Sequence, residues 1–92
     1  MNFKQFKAAT SGMNMTYDLV VKLETKLFSI GRIDCQADAL YLCLDQSHQL
    51  QLKDLVMMAI PDDLILRIKD ENNDYPIYGY RIIRDKNQLV LG

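Results

Sequence analysis

Tryptophan is absent from the 92-residue sequence, histidine occurs once, and there are only two cysteines, two prolines and four glycines. Two cysteines make neither a disulfide framework nor a metal knuckle. Cys35 and Cys43 are therefore expected as reduced thiols that pack like small apolar residues. With one histidine and no dense carboxylate loop, no metal site and no cofactor are expected. Gly12, Gly31, Gly79 and Gly92 stand apart, so there is no glycine loop to cradle a phosphate. A net charge of −1 gives no bulk electrostatic hold on nucleic acid or an acidic membrane; only a local patch could supply one. No apolar run exceeds the length of LVMMAI at residues 55–60, far below the ~20 residues that cross a bilayer. The segment MNFKQFKAATSGMNM is basic but lacks the apolar core of a signal peptide. A cytoplasmic protein without membrane attachment is expected.

What remains is the composition of a globular chain, 49% apolar and 25% charged, of a size that favours a single domain over residues 1–92. YDLVVKLE alternates Leu19, Val21 and Leu23 with Asp18, Val20 and Lys22, the period of a half-buried strand. LFSIGRIDC follows after Thr25 and Lys26, so a tight hairpin is predicted. Its apolar phase switches at Gly31, which predicts a bulge. ALYLCL is a third strand. Beyond the polar loop DQSHQ, Leu52, Leu55, Val56 and Ala59 recur at helical spacing, and Pro61 stops the pattern. LILRIKD, YPIYGYRIIR and QLVL complete the strands, separated by turns at ENND and DKN.

The halves 1–45 and 46–92 resemble one another. FKQF matches LKDL, placing Phe3 over Leu52 and Phe6 over Leu55 at a spacing of 49. DLVVKL matches DLILRI at 45, with Leu19 over Leu64 and Lys22 over Arg67. After the ENND turn the spacing returns to 49, with Phe28 over Ile77, Arg32 over Arg81 and Leu40 over Leu89. Polar positions agree as well as apolar ones, so a duplicated unit is expected. The predicted fold class is α+β: two similar αβββ units sharing one core. About six antiparallel strands would carry two short helices, residues 2–9 and 52–59, on one face. One unit alone is too small to cover its apolar face.

The opposite face would carry Val20, Tyr41, Cys43, Ile65 and Val90 among charged residues. A half-apolar sheet face reads as a docking surface for another protein or a second copy. QLVL, Gln88–Leu91, is expected as an exposed edge that could add a partner strand. The alternative is single-stranded nucleic acid bound by the strand at residues 75–84. Tyr78 and Tyr80 would stack on bases there while Arg81 and Arg84 hold phosphates. Arg32 and Arg81, at matching places, could grip an anion between them.

Catalysis finds little support. His48 lies in a loop, Cys43 has no basic sequence neighbour to lower its pKa, and no third orienting group is evident. The carboxylate pairs Asp62–Asp63 and Asp70–Glu71 read as a helix stop and a turn. The Met-rich pieces Met13–Met15 and Met57–Met58 are expected to fill gaps in the core, with Met57 or Met58 doing so. The segment LKDL…IPDDLILRIKD resembles stretches of small proteins from phages and bacterial mobile elements. The sequence thus predicts a small non-enzymatic protein that works by binding another protein and self-associates.

Overall fold

The computed structural model describes residues 1–92. Two short helices, α1 (Phe3–Ala9) and α2 (Leu52–Val56), accompany seven strands: β1 (Asp18–Leu23), β2 (Lys26–Cys35), β3 (Ala39–Leu44), β4 (Ile65–Lys69), β5 (Asp74–Pro76), β6 (Tyr80–Ile83) and β7 (Gln88–Leu91). The strands form one mixed sheet in the order β5-β4-β3-β2-β1-β7-β6. No helix is long and apolar enough to cross a membrane.

The sheet departs from the predicted antiparallel, roughly six-stranded arrangement in two ways. First, β3 pairs with β4, and β1 with β7, in parallel. The chain from β3 to β4 carries α2 back along the sheet, and such a crossover returns the next strand in the same direction. Hence β1, β3, β4 and β7 all run one way, and β2, β5 and β6 run the other. Second, the stretch YPIYGYRIIR breaks into β5 and β6, which are the two edges of the sheet. Only residues 77–79 separate them, a link that reaches at most about 14 Å from Pro76 to Tyr80. The sheet must therefore curl until its edges nearly meet. QLVL is not an edge, since β7 lies between β1 and β6.

The alternation read from the sequence sorts side chains as expected. Leu19, Val21, Leu40, Leu42, Leu66, Ile68, Leu89 and Leu91 point inward and are fully buried in one core cluster. Each such leucine contributes about 2 kcal/mol by leaving water. The bulge forms where the phase change predicts it, between Ile30 and Arg32. Gly31 is obligatory there: a Cβ would lie 2.7 Å from the Asp45 Cβ and 2.8 Å from the carbonyls of Asp45 and His48.

The helices enter through backbone bonds to distant strands. Phe3 N–H donates to the Leu64 carbonyl (2.9 Å), and Leu66 N–H donates to that of Met1 (3.0 Å). Correspondingly, Leu52 N–H donates to the Tyr17 carbonyl (2.8 Å), and Leu19 N–H to that of Leu50 (2.9 Å). Phe3 and Phe6 of α1 and Leu52 and Leu55 of α2 are thereby wedged into the core near the starts of β4 and β1. In α1, Asn2 Oδ1 accepts from Gln5 N–H and Gln5 Oε1 accepts from Asn2 N–H, both at 2.8 Å, a reciprocal cap on two orphan donors. In α2, Gln51 N–H donates to Asp54 (2.8 Å).

Helix α2 stops at Val56, short of the predicted residue 59. Met58 N–H reaches back only three residues, to the Leu55 carbonyl (3.2 Å), which tightens the final turn. Met57 is 81% exposed and Met58 is also exposed, so neither fills the core. Met13 and Met15 do pack against it, and so does Met1.

Candidate functional site

The four codirectional strands converge on one end of the curled sheet. β1, β3 and β4 finish there at Leu23, Leu44 and Lys69, while β2 and β5 begin there at Lys26 and Asp74. The helix entries lie beside the strand starts, at the other end. The first end therefore stays open as a mouth, a place where barrel-like sheets commonly hold ligands.

Two turns frame the mouth. Between Leu23 and Lys26 the chain reverses through Glu24 and Thr25, with Glu24 in the left-handed region at φ 58°. Between Lys69 and Asp74 it reverses through a wider loop. There Asp70 N–H donates to the Asn73 carbonyl (2.9 Å), and Asp70 Oδ1 accepts from Glu71 N–H (2.7 Å). The main cavity between these turns has a volume of about 400 Å³ and is lined by Leu23, Glu24, Lys26, Phe28, Asp70 and Tyr75. A second chamber of about 290 Å³ shares Phe28 and Asp70 and adds Leu44, Asp45 and Glu71. A third, of about 140 Å³, lies across the rim on the outer side of the wall, where Arg32, Cys43 and Lys69 meet Leu44, Asp70 and Glu71. Leu23, Phe28, Leu44 and Tyr75 are partly buried against the core and form an apolar floor. Carboxylates stand on the rim.

Phe28 and Tyr75 face inward because each pairs with a core residue, Val21 and Ile68 respectively. The sequence placed Leu23 on the apolar face but did not single out this group. The legible signal was a large apolar residue on the inward phase within two residues of a turn.

The residues singled out from sequence fall elsewhere. Val20 and Val90 are neighbours on the outer side of the β1–β7 wall, in a row running Ser29, Val20, Val90, Arg81. Tyr41, Cys43 and Ile65 lie on the outer side of the β3–β4 wall. Curling of the sheet places the two groups on different walls, and Val20, Cys43 and Val90 are buried within the chain itself. Ile65 is 44% exposed, and Tyr41 is half-buried with the Lys69 ammonium 5.2 Å from its ring centre. Burial, reinforced by Asp38 and Asp74, raises the Tyr41 pKa above its ordinary value. Arg67, on the same wall, pairs with Asp74.

Tyr78 is 89% exposed in the break between β5 and β6, and Tyr80 is 43% exposed at the head of β6. Arg81 and Arg84 are exposed and make no ion pair. Arg32 sits across from Cys43 and Arg81 across from Val90, on different walls, so the two are not paired on a common surface.

The loop after β3 brings Asp45, Ser47 and His48 together. The Ser47 hydroxyl donates to Asp45 Oδ1 (2.6 Å), and His48 Nδ1 lies 3.1 Å from Asp45 Oδ2 and 3.1 Å from Ser47 Oγ. A nucleophilic relay needs the hydroxyl on one ring nitrogen and the carboxylate on the other. Here both meet Nδ1, and Ser47 N–H also donates to Asp45 (2.9 Å). The cluster staples a turn. Hydrogen bonds from the Ser47 hydroxyl, the Ser47 N–H and His48 lower the Asp45 pKa. Burial raises that of the Cys43 thiol, opposed by nearby Arg32, so the thiolate is disfavoured. No group of histidine, cysteine and carboxylate side chains is arranged to hold a metal ion.

No protein-family model matches the chain, and neither the curated proteins nor the solved structures contain a match to it.

Proposed function

We propose that this is a non-catalytic protein that acts by binding another polypeptide chain, with the open mouth of the curled sheet as its recognition surface. One observation carries the reading: the cleft of about 400 Å³ whose floor, Leu23, Phe28 and Tyr75, is apolar while the rest of the core is sealed. Such a recess accepts one or two side chains and leaves room for backbone along the rim. The wiring of His48 through a single ring nitrogen and the raised Cys43 pKa both favour binding over nucleophilic chemistry. Exposed Ile65 and half-buried Tyr41 on the outer β3–β4 wall offer a separate surface for self-association.

The test is a photoreactive phenylalanine analogue placed at position 28, with position 22 on the outer face as control. Illumination in cells should give a discrete protein adduct from position 28, reduced in a Tyr75→Ala background. Equal labelling from both positions, or none from position 28, would sink the reading.

The scaffold beneath the mouth is read here as two interleaved αβββ copies. Leu19 pairs with Leu89, and Leu66 with Leu40. Moving 47 positions on from β1 and 49 back from β7 turns the first pair into the second. The same shifts turn Phe3 N–H to Leu64 into Leu52 N–H to Tyr17, and Lys22 opposite Leu27 into Lys69 opposite Asp74. These matches support duplication, with Leu19 answering to Leu66 rather than to Leu64 as the sequence alignment had it.

A second reading has one favourable observation. Tyr78 and Tyr80 are exposed beside Arg81 and Arg84, whose charges are unpaired, as a single-stranded nucleic acid site would require. It predicts steeply salt-dependent binding of a labelled oligothymidine that Tyr78→Ala weakens. A flat titration at low salt removes it.

A further inference from the structure

The charges around the mouth are unevenly placed. The two larger chambers, about 400 and 290 Å³, carry the carboxylates of Glu24, Asp45, Asp70 and Glu71 against the single ammonium of Lys26. Arg32 and Lys69 belong to the smallest chamber, on the far side of Asp70 and Glu71. The apolar floor lies under the negative part, because Phe28 lines both larger chambers and Tyr75 the first. Two of the four carboxylates already serve the fold: Asp45 staples its loop and Asp70 caps its turn. Glu24 and Glu71 make no hydrogen bond or ion pair through their side chains and are exposed at the lip. An apolar floor under a free negative lip complements a ligand with an apolar side chain flanked by cations.

We infer that the mouth selects a cationic, amphipathic polypeptide segment, one in which lysine or arginine alternates with a large apolar residue. This inference rests on the protein-binding reading and specifies its ligand. The apolar side chain enters over Phe28 and Tyr75, and the flanking cations meet Glu24 on one turn and Glu71 on the other. Phe28 and Tyr75 supply the contact, and the two glutamates supply the preference.

The experiment uses ¹⁵N-labelled protein titrated with three acetylated, amidated pentapeptides that differ only in charge: Lys-Leu-Lys-Leu-Lys, Gln-Leu-Gln-Leu-Gln and Glu-Leu-Glu-Leu-Glu. The lysine peptide should shift the amides of residues 23–28, 44–46 and 69–75 and leave the helices untouched. Replacing both free lip carboxylates, Glu24→Gln with Glu71→Gln, should weaken it about five-fold, the worth of two exposed ion pairs. Thermal stability should not fall, since neither side chain holds the turn. Salt should also weaken it, as the screening length shrinks from about 10 Å at 0.1 M to about 3 Å at 1 M. Equal affinity for the lysine and glutamine peptides would overturn the charge preference while leaving the mouth as a protein site. Tighter binding of the glutamate peptide would overturn it too. If no peptide shifts the mouth amides, the inference fails, and the photocrosslink from position 28 decides separately whether the protein-binding reading survives.

Discussion

At Gly31 the strand that crosses from β1 to β3 stays continuous, whereas the strand that crosses from β4 to β7 breaks at residues 77–79 into β5 and β6. Both must leave one neighbour and join another as the sheet curls. At the first crossing the loop after β3 folds over the bulge: Asp45 N–H donates to the Ser29 carbonyl (3.2 Å) and Leu50 N–H to that of Ile30 (2.9 Å). At the second, no backbone bond closes over Ile77 or Tyr78; the nearest is Gly92 N–H to Gly79 (3.2 Å). A glycine lets the covering loop come close, and that loop satisfies backbone groups the bulge frees. Tyrosine at the second crossing has no such cover and stands in solvent. Continuity of a strand at a corner thus depends on what packs over it as much as on the strand itself.

The comparison can be broken most forcibly from inside. Ile30 and Ile77 are both buried beneath their crossings. Ile30→Ala and Ile77→Ala should each cost about 2–4 kcal/mol in urea unfolding, the usual loss for a buried isoleucine. A much smaller loss at Ile77 would show that the broken crossing is not packed as the continuous one is. Gly31→Ala comes next. Its new Cβ would press on backbone atoms of Asp45 and His48, for a loss of about 1–3 kcal/mol. Gly79→Ala meets nothing within 4 Å and should change stability by less than about 0.5 kcal/mol. Equal losses at the two glycines would refute the covering role of the loop.

The turns sharpen the same contrast. Glu24 holds φ 58° in the tight first turn, a conformation glycine adopts freely, while the wider turn at residues 70–73 has no positive φ. Glu24→Gly should stabilise the protein by about 0.5–1 kcal/mol, read from the denaturation midpoint. Acid should loosen the covered crossing. The Asp45 carboxyl has a folded pKa below its ordinary value of about 4. Its contribution is therefore complete above that value and fades as pH falls through the lower, folded pKa. Asp45→Asn should flatten the dependence of the urea midpoint on pH below about 4, with a smaller effect near neutrality. An unchanged acid profile would mean the loop is not held by this carboxylate. Smallest of all, Tyr78→Ser should leave stability within about 0.5 kcal/mol of the parent.

Much of the fold was legible because period-two alternation survives any curvature. Leu19, Val21, Leu40, Leu42, Leu66 and Ile68 take the inward phase that the sequence assigns them, and Gly31 marks the bulge. The parallel pairings were not legible, because direction is set by the crossover at α2 rather than by residue pattern. The break at residues 77–79 was also hidden, although Pro76, which lacks an N–H, ends the paired segment there. For the site, sequence parity put Val20 and Tyr41 on one face, but a curled sheet divides such a face between walls. The mouth joins Phe28 and Tyr75 through turns far apart in sequence, a juxtaposition that no local pattern encodes.

The stitching of α1 to β4 bears on how the chain acquires its shape during translation. Phe3 and Phe6 emerge from the ribosome well before the Leu64 carbonyl that Phe3 N–H bonds and before Leu66 and Ile68 of their shared core. Until then the seat of these two rings is incomplete, and the nascent chain must either shelter them provisionally or present them to a chaperone. Synthesis of the fourth strand is the moment at which α1 can settle.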